Sequence, residues 1–325
     1  MDKIFITTDA QLQKLRDRGM IISDAGEAKH IIELENYYKL INGYKSLFLD
    51  RTYTGPDEKY LLGTRFEEIC ALYYFDQELR NIFIRYILEL ENNIKSVLAY
   101  DFSEKYGHDN YLKVLNFDIS VKKWEKKTTA QKVGEVTGLI SRIQHEISRQ
   151  LSKNNPMISH YMLKYGYVPM WVLVNTLTLG TISTFYAYLQ QKDQNDIGRR
   201  FSLRPEEMNS FLQVLTIYRN ACAHDERLYN LKALRQSMKP NSISTMPIHR
   251  QMKITFNSGN NPVCGKNDLF AIVIVFKIML SQKSFYTFFS RLQNQIVTLA
   301  KGLSTISIET VLSQMGFPEN WENIL

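Results

Sequence analysis

The sequence has only three cysteines in 325 residues, Cys70, Cys222 and Cys264. Their odd number, their wide spacing and the lack of a C-x-x-C pair argue against a disulfide framework and a zinc knuckle, and suit a reducing, cytoplasmic location. Glycine and proline are also sparse, at 15 and 8 residues, and long stretches contain neither. A sheet joined by many tight turns would need more of both, so helices are expected throughout. The start, "MDKIFITTDAQLQKL", lacks the basic residues and apolar run of a secretory signal. No stretch reads as a membrane span. "YGYVPMWVLVNTLTLGTISTFYAYLQQ" (165–191) is uncharged and long enough, but Asn175, Gly180, Ser183 and four threonines interrupt it. A buried helical hairpin turning near Gly180 is predicted instead. "LFAIVIVFKIML" (269–280) is too short, contains Lys277, and reads as core.

What is present points to a folded chain. Hydrophobic residues make up 44% and aromatics 12%, too apolar for disorder. The length suits one large domain or, preferably, two closely packed units. A net charge of +7 favours phosphate-bearing partners without identifying one.

Thr8 and Asp9 are suited to cap a helix reaching about Arg18, where Gly19 stops it, and Ser23 or Asp24 starts another running toward Tyr38. The two helices flanking "RGMIISD" have a loose helix-turn-helix spacing, with no assignable recognition helix. After the turn-rich "DRTYTGPDEKYLLGT", the spacing of Leu72, Phe75, Leu79, Ile82, Phe83, Tyr86, Leu90, Ile94, Val97 and Leu98 predicts a helix over 66–106. Arg80, Asn81, Arg85 and Glu89 should lie off that apolar stripe, facing solvent. Further helices are predicted at 131–152, 170–190 and 205–224, the last opened by Pro205, Glu206 and Glu207. "MKPNSISTMPIHRQMKITFNSGNNPVCGKND" reads as a long loop with "ITF" as a short strand. The expected class is all-α. A helical N-terminal unit (1–50), a helical core (64–235), a loop (236–265) and a C-terminal helical segment packed on the core (266–325) follow in order.

Two groups of residues have chemistry suited to RNA. Lys122, Lys123, Lys126 and Lys127 surround Trp124, offering phosphate attraction and a stacking ring, although a solvated charge run has the same composition. Arg199, Arg200 and Arg227 are further candidate phosphate contacts. The second group is "IYRNACAHDERLYN" (217–230), which places Arg219, Asn220 and His224 within six residues. On an ideal helix Asn220 and His224 share a face, whereas Arg219 and His224 are separated by about 140°. Two copies meeting at a two-fold axis would bring two Arg–His sets into one cleft. Histidine, with a usual pKa of about 6.5, can take the proton of a ribose 2′-OH so that this oxygen attacks the adjacent phosphorus. Arginine can bind two phosphate oxygens as charge builds, and Asn220 can orient the imidazole or the phosphate. That scheme requires no metal or other cofactor, and leaves a 2′,3′-cyclic phosphate and a 5′-hydroxyl.

Besides a non-catalytic RNA-binding protein, in which the basic field and aromatics hold a structured RNA while Arg219 contacts phosphate, two other readings remain open for the same residues. In the first, Arg219 and Arg227 pair with Glu206, Asp225 or Glu226, and His224 merely caps a helix C-terminus. In the second, His224-Asp225 is the metal-binding doublet of a phosphohydrolase, with His145, His160 and Asp268 as remaining ligands, although no spacing ties them together. His30, His108 and His249 are isolated and expected at the surface or as caps.

"RNACAHDERLYN" resembles the R-N-x-x-x-H motif of HEPN-superfamily ribonucleases, in the form carried by Abi-like abortive-infection proteins of the AbiD/AbiF type. "LENYYKLINGYKSLF" (34–48), "FDQELRNIFIRYILELENNIKSVLAYDFSEKYG" (75–107), "VPMWVLVNTLTLGTISTFYAYL" and "MGFPENW" (315–321) resemble that family's blocks in their usual order. The resemblance implies an all-helical protein of phage defence or a toxin-antitoxin system whose HEPN core cleaves RNA without metal, as a homodimer. It assigns Arg219 and His224 as catalytic and Asn220 as their support. It also implies a structured small RNA as a restraining partner. Related effectors carry two R-x4-H motifs in one chain, whereas this chain shows one, so a composite site from two chains is expected.

Overall fold

The computed structural model describes residues 5–121, 126–234 and 241–325. Two short helices open the described chain, each started by a side-chain oxygen. Thr7 Oγ1 accepts from the Ala10 amide at 3.3 Å before α1 (Thr8–Asp17). Asp24 Oδ1 accepts from the Gly26 and Glu27 amides at 2.8 and 2.9 Å before α2 (Ala25–Glu35). These caps satisfy amides that the first helical turn leaves without partners. A π-helical turn, Tyr38–Asn42, continues from α2 toward the loop before the long helix.

The axis of the fold is α3 (Phe66–Tyr106), 41 residues with no interior glycine or proline and therefore about 60 Å long. Glu67 and Glu68 lie in its first turn, where acids suit the helix dipole, and it ends at Gly107 with φ 88°. The chain continues through α4 (Thr129–Ser152), α5 (Pro156–Tyr165), α6 (Met170–Leu173), α7 (Leu179–Tyr188), α8 (Gln191–Arg200) and α9 (Pro205–Ala223). It finishes with α10 (Pro247–Gln251), α11 (Leu269–Met279), α12 (Gln282–Gly302) and α13 (Ile308–Met315). Among the described residues there is no strand, only isolated bridges, so the fold is all-α as the sequence predicts.

Around α3 pack α12, α9, α6 and α8. Phe83 and Tyr86 of α3 meet Phe276 of α11 and Phe288 of α12, with Phe276 and Phe288 edge to face at 4.8 Å. Nine of the eleven α11 residues are buried, which agrees with its expected place in the core. Each fully buried large aliphatic or aromatic side chain there contributes roughly 2 kcal/mol. Phe317 and Trp321, from the "MGFPENW" block, close this core against Phe270 and Phe289 at 5.0 and 5.2 Å. No described helix is long and apolar enough to cross a membrane.

Several expectations are corrected. The 165–191 segment turns near Gly180 as expected, at 174–178, but Gly180 itself lies in the first turn of α7 and does not make the turn. Asn175 and Thr176 side chains bond the Trp171, Val172 and Leu173 carbonyls and end α6, and Thr178 then caps α7 through Thr181. Such local side-chain bonds compete with continued helix. "ITF" is no strand, since Phe256 makes a single isolated bridge to Pro262. Within 236–265, the described residues include α10, whose His249 is fully buried and caps the helix, the second of the two places expected for it. His249 Nδ1 accepts from the Met246 amide at 3.0 Å, and Nε2 stands 2.8 Å from the Gly265 carbonyl oxygen. Arg80, expected to face solvent, is 4% exposed. Asn81 and Arg85 are exposed as expected.

Candidate functional site

Pro205 occupies the first turn of α9, Glu207 accepts from the Arg204 amide at 2.8 Å, and the helix then runs antiparallel to α3. Its buried face, including Phe211, Leu215, Tyr218 and Ala221, packs into the core. Arg219 lies just before the last turn and Asn220 begins it, and the helix ends at Ala223 with His224 as its C-terminal cap, bonded through its amide to the Asn220 carbonyl at 2.9 Å. Asn220 and His224 are exposed.

Arg219 leans across to α3, where its Nε stands 3.4 Å from Glu91 Oε2. Its side chain is 29% exposed, and its terminal guanidinium nitrogens make no bond among the described residues. Glu91 also accepts from Lys95 Nζ at 2.6 Å, one turn along α3, and both members of that pair are buried. Arg219 is thus anchored on one edge with its fork free for an anion. No hydrogen bond joins Arg219 to His224 among the described residues, in agreement with their expected separation around the helix.

The segment after His224 is held by a buried carboxylate. Asp76, with no exposed surface, accepts from the Leu228 and Tyr229 amides at 3.0 and 2.6 Å, from Tyr44 Oη at 2.7 Å and from Arg80 Nη1 at 2.6 Å. Burial raises the Asp76 carboxyl above its usual range against the pull of these donors. Arg80 Nη2 meets Asp225 Oδ1 at 2.6 Å, and Lys39 from the π-helical turn also pairs with Asp225. Burial pushes the Asp225 carboxyl up, but Lys39 and Arg80 outweigh it and hold the group below its usual value. Asp225 sits at φ 56°, the left-handed conformation that turns the chain out of α9. Tyr44, Tyr73 and Tyr229 pack around this network, and burial pushes the Cys222 thiol inside the motif to about 12.

The other predicted contacts divide. Arg227 donates to the Gly43 carbonyl and lines a cavity of about 390 Å³ with Tyr38, Lys39, Asn42 and Asp225, beside the motif. Arg199 pairs with Asp196 at 3.0 Å, and Arg200 Nε donates to Asp101 at 3.1 Å. Asp101 lies about 15 Å beyond Glu91 along α3, so these two arginines are not gathered at the motif. Lys126 is exposed, and Lys127 pairs with Glu135 at 2.5 Å. Lys122, Lys123 and Trp124 lie outside the described residues.

Of the inert reading, His224 does cap the C-terminus of α9, but the arginine partners proposed with it are not those found. Arg219 takes Glu91, and Arg227 a backbone carbonyl, rather than Glu206, Asp225 or Glu226. For the phosphohydrolase reading, no three His, Cys, Asp or Glu side chains among the described residues are placed to hold one metal ion. Asp268 instead caps α11, accepting from Ala271 and Gly265 amides. Ile217, Ala221 and Leu228 pack into the chain's own core.

Sequence reasoning missed Asp76, Glu91 and Lys95. The available signal was two acid-then-base pairs, Asp76/Arg80 and Glu91/Lys95, each four residues apart beside an apolar stripe.

Neither a curated protein nor a solved structure matches the chain significantly. A family profile does match, over residues 30–230, a span that contains the motif and three of the four other blocks and leaves only "MGFPENW" outside. That span is more than half of the 325 residues, and the chain belongs to the family of Abi-like proteins.

Proposed function

We propose that this Abi-like protein is a HEPN endoribonuclease of the AbiD/AbiF type, serving abortive infection or a toxin-antitoxin system and cutting RNA without a metal. The carrying observation is Arg219, anchored at Nε by Glu91 with its terminal nitrogens free, five residues from an exposed His224 at the helix end. His224 acts as the base that takes the 2′-OH proton, and Arg219 binds the phosphate oxygens as the attack proceeds. Asn220, exposed next to Arg219, orients the phosphate or the imidazole.

Two chains compose the working site. Within one chain Arg219 is turned toward α3 and His224 leaves the helix, so a second copy across a two-fold axis supplies the complementary pair. A structured small RNA is the proposed restraining partner. The test is the chemistry of the product ends. Purified protein and end-labelled single-stranded RNA should give 2′,3′-cyclic phosphate and 5′-hydroxyl ends, and a 2′-deoxy substitution at the cut position should block that cut. Products with 3′-hydroxyl ends, or cleavage of the 2′-deoxy substrate, would remove the reading.

A further inference from the structure

Trp171 is an unusual residue to leave in solvent. In the one-turn helix α6, Met170, Val172 and Leu173 are buried at 0%, 8% and 0%, and the Met170 amide is fixed to the His108 carbonyl at 2.9 Å. Trp171 alone turns outward, 50% exposed. Across from it on α3, Leu98 and Ala99 are buried while Tyr100 is 59% exposed. Arg200 lies over the Tyr100 ring at 5.6 Å, and the tyrosine hydroxyl donates to Glu104 at 3.2 Å, so the ring is fixed at both ends.

Trp171 and Tyr100 line one groove of about 540 Å³ between α3 and α6. Asn92 and Asn175 add side-chain amides to its wall. Asn175 spends its Nδ2 on the Trp171 and Val172 carbonyls, leaving an amide oxygen to accept, and the Asn92 amide has no partner among the described residues. Lys95 lines the same groove and bonds Glu91, the carboxylate that also anchors Arg219. The groove is therefore linked, through two side-chain contacts, to the arginine of the motif.

We propose that this groove binds unpaired bases of single-stranded RNA, with Trp171 and Tyr100 as stacking surfaces and the asparagine amides meeting base edges. Exposed, immobilised aromatics beside a cation are what sequence-tolerant single-strand binding uses. The choice of RNA rests on the ribonuclease reading, while the stacking role rests on the groove itself.

A short 2′-O-methyl oligouridylate tests this, because it cannot undergo 2′-OH attack and binding is read apart from cleavage. Trp171→Ala and Tyr100→Ala should each weaken its affinity about 10-fold. In a Trp124→Phe background, Trp171→Phe should hold affinity within about 3-fold while losing the tryptophan fluorescence quenching expected on binding, since the remaining Trp321 is buried. An abasic oligomer should no longer distinguish native protein from the alanine variants. Unchanged affinity in both alanine variants, or no binding of the oligomer by native protein, would overturn the proposal. If the variants weaken binding but native protein cuts no RNA, the groove stands and the ribonuclease reading falls.

Discussion

Replacing Asp76 with alanine should destabilise the protein by about 4 kcal/mol, most of it from groups left behind rather than from the group removed. The substitution orphans the Tyr44 hydroxyl, the Leu228 and Tyr229 amides and one arm of Arg80, all in a site where Asp76 itself has no exposed surface. Each buried orphan costs about 1–3 kcal/mol, and breaking a buried ion pair costs about 3–5 kcal/mol. These do not add in full, because Arg80 keeps Asp225, whose side chain is 55% exposed and so compensates weakly. Against a total stability of about 5–15 kcal/mol, the loss is large. With a urea m-value of about 3 kcal/mol/M, the unfolding midpoint should fall by about 1 M with m unchanged. Adding Arg80→Met should recover part of the loss, since it removes the stranded guanidinium along with its partner. A midpoint shift below about 0.3 M in Asp76→Ala would refute the clamp, as would a double variant less stable than the single by the full cost of each change.

Two further outcomes follow from the burial of other groups. Glu68, 1% exposed, accepts from the Ser304 and Thr305 amides at 2.6 and 2.7 Å and from Thr305 Oγ1 at 2.7 Å, tying the start of α3 to the loop before α13. Burial raises its pKa, but these donors outweigh burial and leave the group below the usual glutamate value. A depressed folded pKa stabilises above the unfolded value, about 4.3, and that stability is lost as pH falls through the folded one. The urea-midpoint gap between native protein and Glu68→Gln should therefore be constant near neutrality and narrow as pH falls below about 4.3, and a gap that does not narrow there would contradict it. Burial also pushes the thiols of Cys70 and Cys222 to about 12 and that of Cys264 to about 11. Native protein at about pH 8 should resist iodoacetamide until it is unfolded, and rapid alkylation of the folded chain would show these sites to be more open.

The limits of α3 and α9 were legible because local chemistry sets them: apolar residues at helical spacing along α3, and Pro205 with Glu206 and Glu207 at the start of α9. The turn between α6 and α7 falls near Gly180 as read, but the glycine does not make it. The chain is turned instead by Asn175, Thr176 and Thr178, whose oxygens and amides take over backbone partners. Within the candidate site, the sequence exposed the motif and its angular separation but not its anchors. Arg80, Glu91 and Lys95 read as surface charges when α3 is considered alone. Their burial depends on α9 lying antiparallel beside them, with Arg219 reaching residue 91 and the amides of 228 and 229 reaching residue 76. Those pairings span more than a hundred residues of sequence, and no local periodicity encodes them.

The most direct test of the central claim is the rate at which His224→Ala cleaves single-stranded RNA in excess EDTA, compared with native protein. A positioned base contributes about 10²–10⁴-fold, so the variant should be slower by at least about 100-fold while native activity survives the chelator. Cleavage by His224→Ala at the native rate, or native activity abolished by EDTA, would contradict the account.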